Sequence, residues 1–297
     1  MSGHNAVPAR LAGGRPTWWV IFWSEFRSLW LGGKALHLIL IYSVLLGLYS
    51  FLFASNAELS LLTRGELMFE VIKASIAFSL FITLIIGAES ISGERERATL
   101  EALLLTPTSR RQIVVGKFLA ALSPWPVALG MSIPYWVVLA KGDPVLGPAL
   151  VWSLPLGGLL AVALAGLGML VSMWCSTNRT SMLVSIGLYL LLLLPTHLAR
   201  PGKVVTAAEI KRVALLQQVN PFDATSAFLA EVIVHNAAPE KVRFLLAMPA
   251  VFLLVILVLL LLLAGPALRL QVGFAGRLRA YWGGHRRVAG LSVTAKT

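Results

Sequence analysis

The residues able to do chemistry in this sequence crowd into one stretch. Between two long apolar runs, residues 87–117 (GAESISGERERATLEALLLTPTSRRQIVVGK) carry Glu89, Glu94, Arg95, Glu96, Arg97 and Glu101. Carboxylates and guanidinium groups at this density make ion pairs, with one another or with a partner. Within one helix, Glu94–Arg97 and Arg97–Glu101 stand at pairing distance, but each such pair contributes only about 0.2–0.5 kcal/mol. That is too little to account for so ordered a pattern. Elsewhere the chemistry is thin. Gly33-Lys34 and Gly116-Lys117 lack the upstream glycine and the following hydroxyl of a phosphate-binding loop. There is no H-E-x-x-H, no serine elbow, and no carboxylate pair inside an apolar run. The histidines (His4, His37, His197, His235, His285) lie far apart, without a partner at metal-ligand spacing, and Cys175 is alone. This predicts no metal centre and no catalytic residue.

The elements that must position the charged stretch follow from its punctuation. The apolar run before it ends at Ala88, and Glu89 is its first charge. Ser92 is placed to N-cap a short helix, with Glu94 and Glu96 in the first turn, where the helix dipole favours acids. Leu100, Leu103 and Leu104 form one apolar stripe. Pro107 disfavours helix at Thr106 and stops it. Ser109 with Gln112 then reads as a capping box opening the next helix. The prediction is one short amphipathic helix over 92–106, lying along a membrane surface. Such a handle suits the passing of a push from a soluble partner into the flanking spans.

The membrane assignment rests on composition. Soluble domains are about a quarter charged, whereas this chain is 13% charged and 58% apolar, with mean hydropathy +0.82. The net charge of +12 therefore reports orientation and anionic lipid, not nucleic acid. Residues 1–15 are polar and Gly-rich and read as disordered. Over 16–34, Trp19, Trp23, Phe26 and Trp30 recur on one helical face, with Ser24, Glu25, Arg27 and Ser28 largely off it. That is the pattern of an anchor helix in the interface; the alternative is a slanted start to the first span. Spans are predicted at 35–55, 70–91, 110–140, 148–174, 181–198 and 244–265. A cleaved signal peptide is the alternative for the first, but its run exceeds the usual apolar length.

Further features sit on this frame. The third span carries Pro124, Pro126 and Pro134, which bend it either to line a pathway or for packing alone. Gly157, Ala161 and Ala165 recur at spacing four in the fourth span and allow close helix approach. Lys73 and Glu89 lie at span ends, where snorkelling accounts for them. Residues 199–243 hold two amphipathic segments, 206–219 and 222–236, too short to cross, that cover or dip into the outer face; the alternative is a solvated loop domain. The tail 269–297 is basic. With both termini inside, sixteen Lys and Arg fall on inner segments and nine on outer ones, six of those in the long loop. This satisfies the positive-inside rule and places the handle in the cytosol. The fold class is thus an all-α polytopic membrane protein of six spans, with the transmembrane domain over 35–268.

These residues resemble the type-2 ABC transporter permeases, the membrane subunits of type V ABC exporters. The match is carried by FWSEFRSLWLGGK before the first span and by Glu89 at the end of the second. It continues through Gly93, Glu94, Arg95, Glu96, Thr99, Leu100, Glu101, Leu103, Leu104 and Pro107. Gly116-Lys117 and Asn220-Pro221-Phe222 complete it. The family usually has Gly where this chain has Ala98. The resemblance implies an ATP-driven exporter subunit in the cytoplasmic membrane and a coupling helix at 92–106. It implies a cytosolic ABC ATPase that binds the ATP and Mg, and a second permease chain, identical or related. Glu89, Gly93, Glu94, Arg95, Glu96, Thr99, Leu100, Glu101 and Pro107 would then serve ATPase coupling. The readings from other classes are a non-transporting membrane scaffold and a secondary transporter; few ionisable groups in the spans argue against the latter. The substrate-binding residues are not legible.

Overall fold

Apolar segments that cross a bilayer must satisfy every backbone N–H and C=O internally, and helices do so within one segment. The computed structural model describes residues 16–55, 63–106, 108–140, 144–198 and 219–264, and among these there is no strand. The expected disordered N-terminus 1–15, Pro107, the amphipathic stretch over 206–218 and the basic tail fall outside the described residues.

The chain begins with α1 (Thr17–Leu31), which a turn at Gly32-Gly33 separates from α2 (Lys34–Ser55). Gly33 has φ +78°, a conformation that suits glycine. The long helix α3 (Arg64–Glu89) opens on a complete capping box between Thr63 and Glu66. It therefore starts earlier than the apolar run predicts. The handle follows as two helices, α4 (Ser92–Glu96) and α5 (Leu100–Leu104). The expected third span is two helices, α6 (Arg110–Leu122) and α7 (Pro124–Ala140), with the break at Ser123. Pro124 lacks the donor that a continuous helix would need there, so it starts α7 instead. Next come α8 (Leu146–Trp174), α9 (Asn178–Leu198) and α10 (Pro221–Ile233). A short turn, α11 (Pro239–Val242), and a 3₁₀ turn at Arg243–Leu246 lead into α12 (Ala247–Leu263).

Among the described residues, five helical stretches are long and apolar enough to cross a membrane: Lys34–Phe53, Gly65–Glu96, Arg110–Ala140, Leu146–Trp174 and Pro239–Leu263. The apolar part of α9, Asn178–Leu193, is shorter. The chain is a multi-pass membrane protein.

Helices α3 and α8 form the centre and share the most extensive packing. Small residues bring them together. A Cβ on Gly87 would stand 2.6 Å from the Ala165 carbonyl oxygen, and one on Gly168 would stand 2.8 Å from Ala88 N. Ala161 and Ala165 are fully buried, and Gly157 faces Trp125 and Ile76. The small-residue row thus serves contacts within one subunit.

Helix α10 is not part of a solvated loop: it dips into the bundle. Asn220 caps it, Pro221 opens it, and Phe222, Phe228, Leu229, Val232 and Ile233 are buried in the main core. Rings of Phe228 and Trp152 lie 5.1 Å apart, and those of Phe222 and Tyr189 5.8 Å. The helix is too short to cross but sits among α3, α8, α9 and α12.

Candidate functional site

The handle bends in the middle, contrary to the single helix expected over 92–106. Ile91, not Ser92, occupies the N-cap position of α4, and no side chain caps it. The Ser92 hydroxyl instead donates to Ala88 O at 2.8 Å, and its backbone N–H reaches Ser172 Oγ at 2.8 Å. After Arg97 the chain enters the left-handed region at Ala98, with φ +58°. Thr99 N–H then donates to Glu94 O at 3.0 Å and Ala98 N–H to Arg95 O at 3.2 Å. These two bonds are the Schellman closure of a helix C-terminus, whose left-handed residue is usually Gly. They end α4 and let α5 start in a new direction. Helix α5 is fastened by its apolar side: Leu100 and Leu104 pack with Ile91, Val114, Met169 and Leu170.

The charges of the handle do not pair along their own helix. Glu94 Oε1 accepts from Lys117 Nζ at 2.6 Å, and Lys117 also donates to Glu25 Oε1 at 2.7 Å. Lys117 is 2% exposed. Arg97 pairs with Glu89 at 3.4 Å, and Lys34 pairs with the other oxygen of Glu89. Glu89 is therefore held by two cations. Lys73, the other charge expected to snorkel, pairs with Glu70 at 2.7 Å. The two handle clusters line one cavity of about 300 Å³, shared by Ser24, Glu25, Lys34, Glu89, Glu94 and Arg97.

Other bonds fix the handle to the turn between α8 and α9. Arg95 donates to the Cys175 and Met173 carbonyls, the latter at 3.1 Å. The Ser92 hydroxyl stands 3.1 Å from Asn178 Oδ1, and Glu96 accepts the Asn178 backbone N–H. A Cβ at residue 93 would stand 2.9 Å from Glu89 Cγ, so the Glu89 side chain passes close over the glycine. Of the predicted coupling residues, Glu89, Gly93, Glu94, Arg95 and Leu100 are thus turned inward or held. Glu96, Thr99 and Glu101 are exposed, beside Arg97, Ala98 and Leu105. The handle joins α3, α6, α8 and α9 on one side and offers solvent the other.

The anchor residues Trp19, Trp23, Phe26 and Trp30 form a chain of ring contacts along α1, with successive centroids 6.4, 5.6 and 5.8 Å apart. Trp23 is 46% exposed. The opposite face is not wet throughout, as an interface helix would predict. Trp18 and Ile21 lie on Gly116, and Glu25 turns in to Lys117. Trp30 Nε1 donates to Ser123 Oγ at 3.1 Å, at the break between α6 and α7. Lys117, Glu25 and Lys34 are site residues that local spacing does not reveal. The Gly-Lys pair at 116–117 was their one trace: the glycine admits α1 and the lysine holds it.

With this geometry in hand, similarity to known proteins is informative. A family model described as "ABC-2 family transporter protein" matches residues 19–270. The ABC transporter permease protein NatB of Bacillus subtilis (strain 168) is 42% identical over 55 residues, 18% of this chain and 14% of that protein. That stretch is a small part of either protein.

Proposed function

Because the chain belongs to the ABC-2 family of transporter proteins and is the membrane subunit of an ABC transporter, we propose that it is an exporter permease driven by a separate cytosolic ATPase. That ATPase binds the ATP and Mg and docks on α4 and α5. The protein works in the cytoplasmic membrane with six spans, α9 being the sixth, and both termini in the cytosol. Two permease chains, identical or related, enclose the pathway.

One observation carries this reading. The handle is bound on one side to four helices of the bundle and presents Arg97, Thr99, Glu101 and Leu105 on the other. A short amphipathic element held in this way transmits a displacement as a rigid body, because packed helices shift between discrete arrangements and do not deform continuously. Closure of the ATPases would push α4 and α5 and tilt α3 and α6.

The test is purification from the native membrane, with identification of the nucleotide-binding subunit that accompanies the chain. Glu101→Arg changes an exposed side chain and leaves insertion intact. It is expected to lose the ATPase from the complex, and Glu94→Arg to leave ATP hydrolysis uncoupled from transport. Undiminished recovery of ATPase with Glu101→Arg would show that docking lies elsewhere. A stable complex devoid of any ATPase would favour a scaffold role.

A further inference from the structure

We infer that Lys117 is a positioning residue that makes α1 and the handle move as one body. The inference rests on the reading of the handle as the coupling element. Its basis is a triad drawn from three distant parts of the chain: Lys117 of α6 between Glu25 of α1 at 2.7 Å and Glu94 of α4 at 2.6 Å.

Geometry separates this from a plain structural pair: carboxylates from two different helices meet one buried ammonium group. A buried ammonium group needs a counter-charge, and one carboxylate provides it. Glu94 would suffice. Glu25 adds a second carboxylate to a lysine already neutralised, so the triad carries one net negative charge. Across the same cavity, Lys34 and Arg97 share Glu89 and carry one net positive charge. The second acid thus offsets the positive cluster across the cavity, and of the two carboxylates on Lys117 it is the arm that reaches α1. Gly116 reinforces the link by steric fit: a Cβ there would stand 2.8 Å from both Trp18 O and Ile21 Cγ2.

The consequence is directional. A partner pressing on α5 moves α4, and Glu94 draws on Lys117. Lys117 holds Glu25, and α1 follows with its stripe of rings. The N-terminal helix is thereby a second output of the handle, beside α3 and α6.

The experiment measures a distance within this chain alone. The full-length protein, in nanodiscs of phosphatidylethanolamine and phosphatidylglycerol, carries spin labels at Arg27→Cys on α1 and Leu105→Cys after α5, with Cys175→Ser. The parent chain and Lys117→Arg are expected to give one narrow distance. Glu25→Ala removes the acceptor on α1 and leaves a neutral Lys117–Glu94 pair, and so a folded chain. It is expected to give a broader distribution shifted to longer distance, and Lys117→Met the same. An unshifted narrow distance in Glu25→Ala overturns the inference, as does a broad distribution in Lys117→Arg. No ATPase takes part in this measurement, so failure of an ATPase to co-purify strikes the coupling reading alone.

Discussion

Glu96 Oε2 accepts the backbone N–H of Asn178 at 3.0 Å, so the handle caps the first turn of α9 from 82 residues away in sequence. The amides of a first helical turn lack partners within the helix, and a carboxylate there also meets the positive end of the dipole. Loss of such a cap costs about 1 kcal/mol. Glu96→Ala is therefore expected to speed hydrogen exchange at the Asn178 amide and in the rest of the α9 first turn. Glu96→Gln, which keeps an acceptor oxygen, should retain part of the protection. Equal exchange in Glu96→Ala and the parent chain would show that the bond does not hold the two elements together.

Ala98 sits where the Schellman turn demands a left-handed residue, at φ +58°. An L-residue with a Cβ pays about 1–2 kcal/mol in that region, and glycine does not. Part of this gain is offset by the greater freedom of glycine in the unfolded chain. Ala98→Gly is expected to raise the thermal stability of the purified protein by about 1 kcal/mol. Ala98→Val should lower it, since branching at Cβ worsens the same clash. A lower melting temperature for Ala98→Gly than for the parent would refute the left-handed turn.

The spans were legible because lipid leaves the backbone few choices. The first one, expected at 35–55, is Lys34–Ser55, and the Gly157–Ala161–Ala165 row marks a close-packed helix. The bend in the handle was not legible, since Ala98 replaces the glycine that would have announced it. Nor was the Lys117–Glu25 bond, which spans 92 positions and leaves no periodic trace. The burial of α10 was hidden for another reason. A short amphipathic helix reads the same whether its apolar side meets lipid, a surface or a core, and only packing against Trp152 and Tyr189 decides. Two breaks were readable but outweighed by the apolar runs around them: the box at Thr63–Glu66 and the Ser123-Pro124 step.

The contact between α3 and α8 gives a steric prediction. A methyl group on residue 168 would stand 2.8 Å from Ala88 N and closer still to Leu84 O, both backbone atoms that cannot swing aside. Overpacking of this kind costs about 1–3 kcal/mol. Gly168→Ala should lower the melting temperature in detergent, whereas Gly187→Ala, with open space around it, should not. Equal effects at the two sites would mean that helix propensity, not contact, governs.

Asp223 supplies the pH dependence. It is third in α10 and 4% exposed, and its Oδ2 has no hydrogen-bond partner. Burial pushes its carboxyl up from 3.8 to about 6, against the opposing pull of Lys73 and of the Asn220 hydrogen bond. A carboxyl raised on folding binds its proton more tightly in the folded chain than in the unfolded one. Its contribution to stability is complete below about pH 3.8 and is lost as the pH rises through about 6. Thermal melts of the purified protein should therefore show a component of stability that declines across this window. Asp223→Asn keeps the shape and removes the titration, so it should flatten that component and raise the melting temperature at neutral pH relative to the parent. An identical slope in both proteins would mean that Asp223 binds its proton equally well folded and unfolded, with Lys73 and the Asn220 bond offsetting burial.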